Sequence, residues 1–236
     1  MELCEKKQKR CLDHELGAAG ALWDHTAVAA DSKLVVSLVV GQRTDDQTLR
    51  LVQDAQGRLR QGYLPAMFPD AFASDESALW EVFGRRYPAT GRSRRPVIRW
   101  PQGLAYSQVK KRYQGRRGEG VELRVLHGKA HLEYVLHVLG YTQINTSAVE
   151  RHNGTSRLRN PRKGRKTVPF SKAKRSHRWM SWLAVGLSNF CRPHSSVKIR
   201  QEGRVIHRSP AMAARLTDHL WSTRAWLLQP VLGGQG

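Results

Sequence analysis

The chain has 236 residues, with 40 Lys and Arg against 19 Asp and Glu and a formal net charge of +21 at pH 7. This positive excess attracts polyanions, and the 40% of hydrophobic residues is enough to build a core. No apolar run is long enough to span a bilayer and no apolar signal segment follows Met1, so we expect a cytoplasmic protein without membrane partners. The three cysteines, Cys4, Cys11 and Cys191, lack the spacing of a zinc site.

Two apolar runs near the start of the chain predict a β-hairpin. Residues 22–30 and 34–40 are the strands, and the polar break Asp31-Ser-Lys33 between them suits a turn. Thr44-Asp-Asp-Gln47 then predicts the start of a helix, because it is a capping pattern with acids where the helix dipole favours them. Gly62 lies just beyond the last apolar residue of that helical pattern.

The middle of the chain predicts a helix, a basic loop and a strand. A short apolar segment at residues 67–73 leads to Ser74-Asp-Glu76, and an apolar helical pattern continues from there to Gly84. Residues 91–120 are rich in Arg and Gly, and they predict a basic loop with one short helix at residues 104–113. Residues 121–125 alternate between apolar and charged side chains, which indicates a half-buried strand.

The segment at residues 144–153 places one carboxylate, Glu150, directly before a strongly basic tract. Residues 151–200 contain 14 Lys or Arg and no Asp or Glu. A lone acid beside so much positive charge suggests a metal-binding carboxylate at the edge of a nucleic-acid surface. The alternative is a capping box, because Ser147 and Glu150 have the S-x-x-E spacing that satisfies free amides at a helix start.

The basic tract predicts two helices. The first begins near Ser147, the chain breaks at Asn160-Pro161, and a Trp-rich helix follows over residues 176–190. One face of this second helix carries Trp179, Leu183, Leu187 and Phe190. Aromatic residues can stack on bases, but such a stripe is more often part of a core. Residues 209–228 predict one or two final helices.

The order of predicted elements is strands, helix, strand, helix, strand and then a late acid on a helix, which is compatible with a ribonuclease H-like α/β fold. Asp75 and Glu150 are the candidate ligands for Mg²⁺ or Mn²⁺, because these cations prefer oxygen. Two such ions can hold the attacking and leaving oxygens of a phosphodiester, so we expect the two carboxylates to converge. The alternative for Asp75 is an N-cap of the helix that follows.

A set of short segments extends in order over most of residues 22–228. They are Leu22-Trp-Asp-His-Thr-Ala-Val28, Asp31-Ser-Lys-Leu-Val35, Val40-Gly-Gln-Arg-Thr44, Ser74-Asp75, Val149-Glu-Arg-His-Asn153, Pro169-Phe-Ser-Lys172, Asn189-Phe-Cys-Arg-Pro-His-Ser-Ser196, Ser209-Pro-Ala-Met-Ala213 and Leu216-Thr-Asp-His-Leu-Trp221. In their order and spacing these segments resemble transposases of the insertion sequence one family, in the broader DDE group.

The resemblance implies a metal-dependent DNA transposase that cleaves at element ends and joins the 3′-hydroxyl to target DNA. It matches Asp75 to the second catalytic Asp and Glu150 to the closing Glu, which would bind Mg²⁺ or Mn²⁺. We expect a ribonuclease H-like catalytic domain with a mixed sheet and flanking helices over residues 1–175. A helical C-terminal extension over residues 176–236 would pack on it. The expected partners are DNA and, on DNA ends, further copies of the chain.

The chain departs from the family pattern in two ways. It shows nothing that matches the usual N-terminal zinc-binding or helix-turn-helix region. The family's first catalytic Asp lies a few residues before a Lys/Gln-rich segment, and Lys6-Lys-Gln-Lys9 looks like that segment, which puts the Asp just before Met1. Glu2 falls past the ligand position, so we expect a poor or inactive transposase. Asp31 matches a hairpin turn residue, and a metal role for it is the less favoured alternative.

Two function classes therefore remain at the level of sequence. One is the metal-dependent transposase, and the other is a non-catalytic DNA-binding remnant of such an enzyme. In both classes, basic residues beside Glu150 would hold the phosphate backbone. These are Arg151, Arg157, Arg159, Arg162, Lys163, Arg165 and Lys166.

Overall fold

The computed structural model describes residues 22–69, 73–88, 96–114, 117–142, 146–160, 163 and 173–229, and these residues form a mixed α/β structure. The strands are β1 (Trp23–Val28), β2 (Val35–Gly41), β3 (Ala66–Met67), β4 (Arg85–Tyr87), β5 (Val97–Arg99), β6 (Ala105–Gln114), β7 (Arg117–His127), β8 (Ile199–Gln201) and β9 (Arg204–Ile206). The α-helices are α1 (Asp45–Gly57), α2 (Ala73–Phe83), α3 (Lys129–Leu139), α4 (Ser147–Arg159), α5 (Lys174–Gly186), α6 (Pro210–Ala213) and α7 (Thr223–Leu227). A π-helical turn, Leu187–Cys191, continues α5.

The chain divides into two compact units. The terminal unit consists of Met1–Gln42 together with Arg151–Gly236, and the central unit is Arg43–Glu150. This division differs from the predicted boundary between residues 175 and 176. The difference arises because α5 packs on β2, so that the early hairpin and the late helices share one core.

In the terminal unit, β1 and β2 form the predicted antiparallel hairpin, with Trp23 opposite Gly41 and Val28 opposite Val35. The Ala29 amide donates to the Leu34 carbonyl at 2.8 Å and closes the connection. Asp31 is exposed in the turn, so its expected place in the hairpin connection is confirmed.

The core of the terminal unit lies between the hairpin and α5. Val35, Leu38 and Val40 of β2 are buried together with Val185 of α5. The π-helical turn adds a polar connection, since the Asn189 side chain accepts from the Val35 amide and donates to the Val35 carbonyl, both at 3.0 Å. This buried side-chain amide satisfies the backbone amide and carbonyl of Val35 as a residue of a neighbouring strand would.

The central unit begins with α1, whose predicted cap is confirmed because the Thr44 hydroxyl accepts from the Gln47 amide at 3.4 Å. The helix α1 packs on α2, which ends before Gly84 as predicted. A mixed sheet has the order β3-β6-β7, with β3 parallel to β6 and β6 antiparallel to β7. The core of the central unit includes Leu79 of α2 together with Leu104 and Tyr106, all of which are buried.

The prediction of a short helix at residues 104–113 is wrong, because nearly all of this segment belongs to β6. Leu104, Ala105, Tyr106 and Ser107 are all buried in succession, because Leu104 and Tyr106 pack in one hydrophobic cluster and Ala105 packs in another. Such a strand has no apolar alternation, so its periodicity did not distinguish it from a helix. The strand predicted at residues 121–125 is confirmed as part of β7, but its expected half-burial is wrong, because Leu123 and Val125 are exposed. The helix α3 lies in a stretch for which the sequence made no prediction.

The expected α/β class is confirmed, and the ribonuclease H-like arrangement stays a prediction. The described strands form the mixed three-stranded sheet and the separate two-stranded pairs β1-β2, β4-β5 and β8-β9. Among the described helices, none is both long and apolar enough to cross a membrane.

Candidate nucleic-acid interface

The helix α4 carries the described part of the predicted basic surface. Arg151, Arg157 and Arg159 are all exposed. Residues three, four and seven apart share a helix face, so Arg157 lies on the side of Glu150, whereas Arg159 lies on the side of His152. The three arginines are therefore available to solvent but distributed around the helix. Arg162, Arg165 and Lys166 lie outside the described residues.

Glu150 is exposed in the first turn of α4, where a negative charge complements the helix dipole. The Thr146 hydroxyl donates to Glu150 Oε1 at 2.6 Å, and the Glu150 amide donates to the Thr146 carbonyl at 3.0 Å. The residue that pairs with Glu150 across the helix start is thus Thr146, one position before the Ser147 of the predicted capping box. This geometry gives Glu150 a local structural role at the beginning of α4.

Asp75 lies half-buried in the first turn of α2, which begins two residues earlier at Ala73. It is therefore not the N-cap of that helix. The neighbouring Ser74 is buried and donates to the Asp45 carboxylate at the start of α1. Burial raises the pKa of Tyr106 to about 12, and the charges of Glu76 and Asp75 act in the same direction.

The two carboxylates have the oxygen chemistry that Mg²⁺ or Mn²⁺ takes. In the part of the chain that the structure describes, however, no group of three or more His, Cys, Asp or Glu residues is arranged to hold a metal ion. The convergence of Asp75 and Glu150 stays a prediction.

Lys163 does not belong to the exposed basic surface, because most of its side chain is covered in a polar cluster that the sequence did not reveal. Its ammonium pairs with the Asp24 carboxylate of β1, and the two side chains are only 10% and 13% exposed. His177 Nε2 lies 3.0 Å from Asp24 Oδ1, and the Ser181 hydroxyl donates to Asp24 Oδ2 at 3.2 Å. The cluster connects β1, α5 and the chain after α4.

The electrostatics of the cluster favour an ionised Asp24. Burial alone would raise its pKa, but the hydrogen bond from His177 and the charge of Lys163 outweigh burial and lower the pKa to about 2. Nearby, burial and the Lys163 charge lower the pKa of His152 to about 4, so this imidazole is neutral at pH 7. In the sequence, the one indication of this cluster is that an acid, Asp24, lies within a mainly apolar predicted strand.

An open cavity of about 210 Å³ lies between α4 and α5. Its apolar side includes Met180, Leu183 and Leu187, and its polar side includes His152 and Arg159. The volume is below the ~300 to 1,000 Å³ of pockets that hold drug-sized ligands. The cavity is therefore better described as a packing gap with a basic rim than as a ligand site.

The predicted apolar stripe of the Trp-rich helix is divided in the structure. Leu183 and Leu187 line the cavity, whereas Trp179 is 65% exposed, so the interpretation of Trp179 as a core residue is wrong. Trp182 is also exposed, at 40%. The positions 175, 178, 179 and 182 are three, four and seven residues apart, and this spacing in the sequence indicates that the two arginines and the two tryptophans share one helix face.

Comparison of the chain with known protein families, with curated proteins and with solved structures found no match.

Proposed function

We propose that this chain is a DNA-binding protein of the transposase type, whose terminal unit holds the phosphate backbone of DNA. The observation that carries the proposal is the charge of that unit. Its described residues include fifteen Lys or Arg against four Asp or Glu, and one of those acids, Asp24, is buried against Lys163. A surface with so large an excess neutralises phosphates and releases counterions, which drives binding without reading sequence.

The exposed arginines of α4 are the first residues that we assign to this surface. Arg151, Arg157 and Arg159 project in different directions from one helix, so a duplex would engage them through a curved or wrapped backbone rather than along a single line. Guanidinium groups suit this role, because they stay charged and can bind phosphate oxygens in pairs.

The binding proposal is tested with a triple variant, Arg151→Gln, Arg157→Gln and Arg159→Gln, and duplexes of unrelated sequence. We expect weaker binding to every duplex and a salt slope smaller by about 2.7, which is about 0.9 for each phosphate that is no longer neutralised. The matched control replaces three exposed arginines of the central unit, Arg50, Arg58 and Arg60, by Gln.

Each outcome of this test is informative. Equal weakening by both triple variants would mean that total charge, rather than the α4 surface, controls binding. A loss confined to one duplex sequence would indicate base readout instead of phosphate contact. No measurable binding of duplex by the native chain would reject the proposed function.

The catalytic part of the proposal is a ribonuclease H-like transposase in which Asp75 and Glu150 act with Mg²⁺ or Mn²⁺ in DNA cleavage and strand transfer. The order of the matching segments and the α/β class support it. The second candidate is a non-catalytic DNA-binding protein, which is favoured by the lack of a three-residue ligand group among the described residues.

A strand-transfer assay with Mg²⁺ or Mn²⁺, on DNA carrying the sequences that flank the gene, separates these candidates. A metal-dependent product that disappears in both Asp75→Asn and Glu150→Gln would support the enzyme. The control is Asp46→Asn, which removes an exposed acid from the first turn of α1. These substitutions remove negative charge and should not weaken DNA binding, so a lost product cannot be attributed to weaker binding. DNA binding without any product would favour the second candidate.

A further inference from the structure

The helix α5 presents three faces with different surroundings. Ser181 and Val185 are buried toward the hairpin, where Ser181 binds Asp24 and Val185 packs on β2. Met180 and Leu183 line the cavity toward α4. Because side chains three, four and seven residues apart align on a helix, these contacts leave one further face. This face is open to solvent from Arg175 to Trp182 and is covered by Trp226 at Gly186.

The open face of α5 consists of Arg175, Arg178, Trp179 and Trp182, which we call the Arg–Trp face. All four side chains are exposed, with 65% of Trp179 and 40% of Trp182 accessible. Within the described chain, neither arginine takes part in an ion pair. Two large aromatic side chains in water, flanked by charge, mark an interaction surface rather than a packing surface.

We propose that the Arg–Trp face binds single-stranded DNA, with bases stacked on Trp179 and Trp182 and phosphates held by Arg175 and Arg178. This inference rests on the proposed DNA-binding function and specifies a second mode of contact for it. Aromatic side chains alternating with basic ones are the elements of single-strand recognition, because every base has a flat face that stacks and every linkage carries a negative charge.

The dimensions of the face suit a short run of nucleotides. From Arg175 to Trp182 the helix rises about 10 Å at about 1.5 Å per residue. Successive bases along one strand are about 3.4 Å apart, so about three nucleotides span this distance. Stacking does not read base identity, and we therefore expect little sequence preference.

Charge favours DNA over the other occupants of an exposed aromatic face. The tract around α5 has no Asp or Glu from residue 151 to residue 200. If a second copy of the chain bound through the same face, its Arg175 and Arg178 would lie opposite these two arginines, and the like charges would repel. A polyanion neutralises them, and it also supplies flat groups for the tryptophans.

The test compares Trp179→Leu/Trp182→Leu with Trp179→Phe/Trp182→Phe, using fluorescence anisotropy of a labelled oligothymidylate of about 12 nucleotides and of a duplex. Leu keeps apolar area but cannot stack, whereas Phe can. We expect about tenfold or greater weakening of oligothymidylate binding by the Leu pair, and recovery to within about threefold by the Phe pair. Duplex binding should change little in either variant. Far-ultraviolet circular dichroism checks that both variants are folded.

Four results would overturn the inference, and the last concerns the native chain alone. The first is oligothymidylate binding that is equally tight in the native chain and the Leu pair, and the second is equal weakening of duplex and single strand. The third is conversion of a dimer to a monomer by the Leu pair with unchanged binding, which would make the face an interface between copies. If the native chain binds duplex but not single-stranded DNA, only this inference is rejected. If it binds single-stranded DNA but not duplex, only the duplex binding of the proposed function is rejected.

Discussion

Replacing Asp24 by Asn tests whether the buried polar cluster stabilises the terminal unit. The carboxylate on β1 pairs with Lys163 and accepts hydrogen bonds from His177 and Ser181 of α5. Asn keeps the shape of the side chain and one acceptor oxygen, but it removes the charge. Lys163, which is only 10% exposed, is then left as a buried ammonium without its counter-ion.

The size of the effect follows from the pKa of Asp24. Lowering the pKa from 3.8 to about 2 corresponds to about 2 to 3 kcal/mol of preference for the charged form in the folded chain. Leaving one partner of a buried pair uncompensated costs about 3 to 5 kcal/mol in other proteins. We expect Asp24→Asn to lower the free energy of unfolding by about 3 kcal/mol at pH 7, and the melting temperature by about 6 to 12 °C.

Urea denaturation of Asp24→Asn, Lys163→Met and the double variant measures the coupling between the two side chains. The double variant should lose less stability than the sum of the single variants, because it removes both charges together. The control is Asp31→Asn in the exposed hairpin turn, which should change the free energy of unfolding by no more than about 0.5 kcal/mol.

The contribution of Asp24 should also depend on pH in a defined window. Because its pKa is lower in the folded chain than in the unfolded chain, the stabilisation is complete above about pH 5 and is lost as the pH falls toward about 2. The difference between the native chain and Asp24→Asn should be constant from pH 7 to about pH 5 and then shrink. A difference below about 0.5 kcal/mol at pH 7, or one that does not shrink below pH 4, would refute the reasoning.

Four further substitutions test the packing within each unit. Gly128 and Gly140 both have positive φ beside α3, but of these two only Gly128 would bring a Cβ against backbone, at 2.1 Å. In urea denaturation, Gly128→Ala should lower the free energy of unfolding by more than about 2 kcal/mol and Gly140→Ala by about 1 kcal/mol. Equal losses in the two variants would contradict this. A Cβ at Gly186 would lie 2.0 Å from the Trp226 indole. Gly186→Ala should therefore lower the free energy of unfolding by about 1 to 3 kcal/mol and shift tryptophan fluorescence. The loss should be smaller when Trp226 is replaced by Ala as well. Asn189→Ala leaves a buried amide and carbonyl of β2 unpaired, which should cost about 2 kcal/mol or more and speed hydrogen exchange at that amide; unchanged exchange would exclude the proposed contact.

Several elements could be predicted from the sequence because their causes are local. The hairpin turn at Asp31 follows from a polar break between apolar runs, and the start of α1 follows from the Thr44 hydroxyl and the acids after it. The end of α2 follows from Gly84, and β7 follows from its alternation. In each case, neighbouring residues along the chain supply the contacts that determine the conformation.

Other features depend on residues that are distant in sequence, and only the tertiary structure decided them. The segment from Ala105 is a strand because β3 and β7 pair with it on either side. Lys163 was predicted to contact DNA, but it is buried because Asp24, on a strand early in the chain, supplies its counter-charge. Trp179 lies in water because the other sides of α5 pack on the hairpin and line the cavity toward α4. The sequence by itself determined the charge of this protein and its local turns and caps, whereas long-range packing decided which charged and aromatic side chains remain available to a partner.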